Sequence, residues 1–92
     1  MLDEVTYEKG LLARRAGAAQ EAISLLQSVV TFDAGSYLAD RCLFIIAEIN
    51  ERELGQAARA RDLYDEILVK YPGTLLAPEI RTRIQQLRLS DV

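Results

Sequence analysis

A repeat at a spacing of 38 residues limits what this chain can fold into more than any other feature. The stretch "DAGSYLADRCLFII", residues 33–46, returns as "YPGTLLAPEIRTRI", residues 71–84. Between Gly17 and Ala39, seven of 23 positions are identical to the residue 38 places later: Gly17/Gly55, Ala19/Ala57, Ala22/Ala60, Leu25/Leu63, Gly35/Gly73, Leu38/Leu76 and Ala39/Ala77. Others keep their chemistry, among them Val29/Ile67, Val30/Leu68 and Ser36/Thr74. The matches fall on apolar and turn residues, which a repeated structural unit must preserve. A unit this short cannot bury its own apolar faces, so each copy must lean on its neighbour.

Periodicity identifies what each unit is made of. Ala57, Ala60, Tyr64, Ile67, Leu68 and Tyr71 recur at steps of three and four, as do Ala19, Ala22, Leu26, Val29 and Val30. Each set lines one side of a helix. The run "CLFIIAEI", Cys42 to Ile49, is apolar on nearly every side, which suits a helix enclosed between neighbours. Gly17 and Gly55 can take positive φ and close a helix. Ser36 and Thr74 are placed to accept backbone N–H bonds at helix starts. Pro78 fits only a first turn, so the last helix opens irregularly near Leu75 or properly at about Ala77. The pattern predicts an all-α chain of five helices, at about 3–15, 18–32, 36–53, 56–70 and 75–89. They make two antiparallel hairpins and one additional helix.

Composition excludes several functions. With 92 residues there is one domain's worth of chain, and half the residues are hydrophobic. The net charge of −3 supplies no basic field for a nucleic acid backbone. No apolar run approaches the ~20 residues that cross a bilayer, so direct membrane insertion is not expected. The start "MLDEVTYEKG" has no signal-peptide pattern. Cys42 is the single cysteine and reads as a small buried hydrophobe. There is no His, the commonest general base and metal ligand, and no Gly-rich phosphate loop. The neighbouring acids Asp3–Glu4 and Asp65–Glu66 do not face each other on a helix and so form no dyad. Neither catalysis nor a metal or cofactor is expected.

These residues resemble the tetratricopeptide repeat. Its hairpin carries Gly at the turn, a small Ala, then a large apolar residue, then Pro; here these are Gly55, Ala60, Tyr64 and Pro72. One unit earlier they are Gly17, Ala22 and Leu26, with Ala34 where Pro is usual. Gly10 fits the small residue the family places where two helices approach closely, and Glu48 departs from it in the second unit. The resemblance implies an α–α superhelix, a solenoid of two hairpins (repeat 1 about 3–34, repeat 2 about 36–72) and a capping helix, about 75–89. The one-sided stripe Leu76, Ile80, Ile84 and Leu87 among Arg and Gln suits such a cap. The abrupt N-terminal start implies a piece of a longer chain. The ending "YPGTLLAPEIRTRIQQLR" is similar to the close of such modules in bacterial cell-envelope proteins; cytoplasmic and cell-envelope locations both stay open.

The resemblance also implies a function, a protein-interaction module that holds a peptide or protein segment on its concave side. The residues expected there are Tyr7, Leu11, Arg14 and Arg15 from the first helix and Ile45, Ile49 and Arg52 from the third. The resemblance puts Glu4, Cys42 and Glu53 on the same side, and Arg83 of the cap helix adds to it. Tyr7 and Ile45 stand where chaperone-binding members place the Lys and Asn that hold a terminal carboxylate, so that clamp is not expected. The alternative is a structural segment of a longer solenoid, or a homo-oligomer, with no separate ligand.

Overall fold

The computed structural model describes residues 2–90. Five helices follow one another: α1 (Leu2–Arg15), α2 (Ala19–Phe32), α3 (Ala39–Arg52), α4 (Ala57–Lys70) and α5 (Ala77–Ser90). Each packs on the next, which makes the hairpins α1–α2 and α3–α4 and lays α5 against α4. The fold is the all-α superhelix expected, and no strand occurs among the described residues.

The 38-residue repeat reappears in the hydrogen bonds of the turns. Ser36 N–H donates to the Asp33 carbonyl at 3.0 Å, and Thr74 N–H to the Tyr71 carbonyl at 3.0 Å. Ala39 N–H reaches the Ser36 carbonyl and Ala77 N–H the Thr74 carbonyl. Here the structure corrects one helix start and decides another. The third helix begins at Ala39 rather than 36, and the fifth at Ala77, the second of the two starts that Pro78 left open. The hydroxyls do accept backbone N–H bonds, Ser36 from Leu38 and Thr74 from Leu76, but they close a turn that precedes the helix. Pro78 then sits in the first turn of α5, where its missing N–H costs nothing.

Gly17 and Gly55 end their helices with φ of 83° and 63°. Past α1 the chain reverses with Gly17 N–H on the Arg14 carbonyl and Ala18 N–H on the Ala13 carbonyl, the paired closure that needs a left-handed residue.

The core runs along the seams between helices. α3 is covered by α2 on one side and α4 on the other, so eight of its residues are buried, Cys42, Leu43, Ile46 and Ile49 among them. That enclosure explains why its sequence is apolar nearly all round. Burial pushes the Cys42 thiol up to about 12, so it stays protonated and inert. The single buried polar side chain among the described residues, Asn50, donates to the Ile46 carbonyl at 2.9 Å. In α5, Ile80, Ile84 and Leu87 are buried while Arg81 and Arg88 are exposed, so the helix has one apolar side, packed on α4.

Close approach explains the small residues. A Cβ added at Gly10 would lie 2.8 Å from Leu26 Cγ and 2.9 Å from its Cδ2. Leu26 is fully buried and has no room to withdraw. Gly10→Ala gains about 1 kcal/mol of helix propensity, yet overpacking of about 1–3 kcal/mol is expected to outweigh it. Ala60, also fully buried, should behave alike when changed to Leu. A urea midpoint raised by either substitution would contradict this packing.

Candidate protein-interaction surface

Side chains of α1, α3 and α5 meet directly along one side of the molecule. Glu48 of α3 is at the centre. It accepts from Arg14 Nη1 of α1 at 2.6 Å and from Arg83 Nη2 of α5 at 2.9 Å. Arg14 turns its other edge to Glu53, with Nε–Oε2 of 2.6 Å and Nη2–Oε1 of 3.0 Å, a two-pronged pair. Arg83 donates through Nε to Glu79 at 2.8 Å and through Nη1 to the Tyr64 hydroxyl at 3.2 Å. Its guanidinium also lies over the Phe44 ring, 5.3 Å from the centroid. Tyr64 passes its own proton bond to Glu51 at 2.9 Å. One carboxylate thus joins both hairpins and the last helix.

The electrostatics follow from this arrangement. Burial by itself raises the Glu48 carboxyl, but the bonds from Arg14 and Arg83 outweigh it and hold the group below its ordinary value of 4.5. The two-pronged bond to Glu53 holds the Arg14 guanidinium more firmly charged. Burial, and then the bond to Glu51, pushes the Tyr64 phenol up. A carboxyl lowered on folding adds stability above its unfolded value and loses it as pH falls through the folded one. Glu48→Gln should therefore cost about 1–3 kcal/mol at neutral pH. Its deficit against wild type should shrink below about pH 4.5. Denaturation midpoints of both proteins across that range check the sign; a deficit that grows on acidification would refute it.

The residues expected on the concave side separate into two groups. Leu11, Arg14 and Arg15 come together, and with Glu53 they line a hollow of about 380 Å³. Tyr7 is half-buried against the core beside them. Arg52 is exposed, its Nη1 3.7 Å from Glu48. Ile45 and Ile49 are 9% and 0% exposed. They pack inside the core and support the surface from beneath, so neither can anchor a ligand in this arrangement. Arg14 is spent on Glu48 and Glu53. The pairing of Glu48 and Arg83 was not read from the sequence. Its signal was the acid at the position where the first unit has Gly10, since a charge at a close-approach site demands a partner.

The comparisons bear on this geometry directly. Residues 41–74, which hold α3 from Arg41 onward, α4 and the turn after it, match the family model described as Tetratricopeptide repeat. This segment is a tetratricopeptide repeat. Within it the tetratricopeptide positions Gly55, Ala60, Tyr64 and Pro72 carry the turn, the tight contact, the buried ring and the exit turn. Repeats of this family build helical scaffolds and protein-interaction modules and are typically non-catalytic. No curated protein and no solved structure matches the chain. The likeness to cell-envelope proteins therefore gains no support. No helix among the described residues is long and apolar enough to cross a membrane, and none of their His, Cys, Asp and Glu side chains gather into a group that could hold a metal ion.

Proposed function

We propose that the chain is a non-catalytic protein-interaction module whose ligand, a segment of another protein, lies along α1 and the C-terminal end of α3. The hollow lined by Leu11, Arg14, Arg15 and Glu53 carries this reading. Leu11 offers apolar contact, and Arg15 makes no ion pair among the described residues. Arg14, held at both ends by carboxylates, presents a fixed wall. Tyr7 and Arg52 extend the surface on either side. So small a surface suits a transient contact, and few charges take part, so salt weakens it moderately. The test compares capture of binding proteins by wild type and by a folded Leu11→Gln, Arg15→Glu double variant. Equal capture would move the ligand elsewhere.

One observation favours a second reading, self-association. The exposed side of α2 presents Gln20, Ser24, Gln27, Ser28, Thr31 and Phe32 with one charge, Glu21, in its first turn, and Phe32 is 77% exposed. The corresponding side of α4 carries Asp62, Asp65, Glu66 and Lys70. A copy of α2 running antiparallel can oppose α2 with the two Glu21 at opposite ends, so that like charges are not apposed. Light scattering over a concentration series tests this, and a monomer throughout would remove the reading.

A further inference from the structure

The groove between α4 and α5 has a different character from the inner side. It encloses about 490 Å³, with Leu68, Ile84 and Leu89 among its apolar lining and Arg81 and Arg88 along the α5 edge. At about 100° per residue, Arg81 and Arg88 project within roughly 20° of each other. Arg83 leaves the buried stripe of α5 by the opposite edge, toward Glu48. The groove is thus separate from the ionic cluster.

Three observations bear on what it fits. In a chain of net charge −3, α5 holds three Arg against one Glu, while every other helix is neutral or net negative. Arg83 is spent on Glu48 and Glu79, whereas Arg81 and Arg88 make no ion pair among the described residues. Thirty-eight residues earlier, their places are taken by Leu43 and Asn50, both buried, because α3 is covered by helices on two sides. α5 has α4 alone. Its uncovered edge has exchanged an apolar and an amide residue for two cations, and Leu89 beside them is 69% exposed.

We propose that this groove binds an acidic amphipathic segment of a protein partner, with carboxylates on Arg81 and Arg88 and apolar side chains on Leu68 and Leu89. The two cations are seven residues apart on one helix, a rise of about 10 Å, which a ligand helix with acids at i and i+7 matches. Asp65, in the lining from α4, repels a carboxylate on that wall and directs the acidic edge of the ligand toward α5. The inference does not depend on the inner-side reading.

The probe is a short amphipathic helical peptide with two Glu seven residues apart and Leu between them, beside its Gln counterpart. In titrations followed by backbone amide shifts, the Glu peptide should perturb Leu68, Arg81, Gln85 and Leu89 and leave Leu11 and Arg15 unmoved. Charge reversal by Arg81→Glu and Arg88→Glu, both exposed sites that leave the fold intact, should weaken binding by about tenfold or more. The Gln peptide should be weakened similarly. No binding of the Glu peptide, equal binding of the Gln peptide, or shifts confined to the α1–α3 side would each overturn the proposal.

Discussion

Removal of residues 75–92 is expected to abolish the cooperative melt of the rest of the chain. α5 places Ile80, Ile84 and Leu87 against α4, and all three are almost fully buried. At about 1.5–3 kcal/mol for each such side chain, the loss is on the order of 5 kcal/mol or more. That is comparable with the whole stability of a domain this small. The truncation also removes Arg83, which lies over Phe44 and bonds both Glu48 and the Tyr64 hydroxyl. Glu48 would keep Arg14, while Tyr64 would lose part of its cover. Circular dichroism melts and light scattering of residues 1–74 provide the measurement. The expected result is a broad transition with aggregation, and a monomer that melts as sharply and as high as the full chain would show that α5 is not a cap.

Tyr64→Ala should be the most damaging single substitution, at about 3–5 kcal/mol. Tyr64 is the largest of the side chains with no exposure, and its ring meets Phe44 at 5.6 Å between centroids, tilted by 53°. It stands where the first hairpin has Leu26, the residue that fills the space beside Gly10. Here the larger ring occupies that place, and its hydroxyl reaches Glu51 and Arg83. Tyr64→Phe keeps the ring and removes only those bonds, so it should cost about 0.5–1.5 kcal/mol. Chemical denaturation of the pair separates the two contributions. Similar midpoints for both variants would mean that the hydroxyl, rather than the packed ring, holds this seam.

The two variants expose a division that runs through the whole molecule. The helices, their order and the seams between them were legible in the chain because they depend on local rules repeated at one spacing. Glycine at 17 and 55 can turn left-handed at little cost, and apolar residues at steps of three and four mark one side of a helix. The repeat counts each of these signals twice. The start of the third helix was misplaced by three residues, and that of the fifth left open between 75 and 77, for a local reason as well. A hydroxyl that bonds a backbone N–H two residues on looks the same in sequence whether it begins a helix or closes the turn before it.

The functional surface was legible only in part. Leu11, Arg14 and Arg15 follow one another on α1, and helical geometry alone puts Leu11 beside Arg14 and Arg15. Ile45 and Ile49 look equally available in sequence, but burial depends on what α2 and α4 bring to α3 from elsewhere in the chain. Tertiary structure alone decided the ionic cluster. Arg14, Glu48 and Arg83 are separated by 34 and 35 residues and meet because three helices are stacked side by side. Coulombic attraction between such groups is short-ranged in water, so no local pattern encodes it. The sequence by itself determined a repeated helical hairpin, through the conformational limits of single residues. Which charges are neutralised within the fold, and which stay solvent-exposed on α5, was decided by packing.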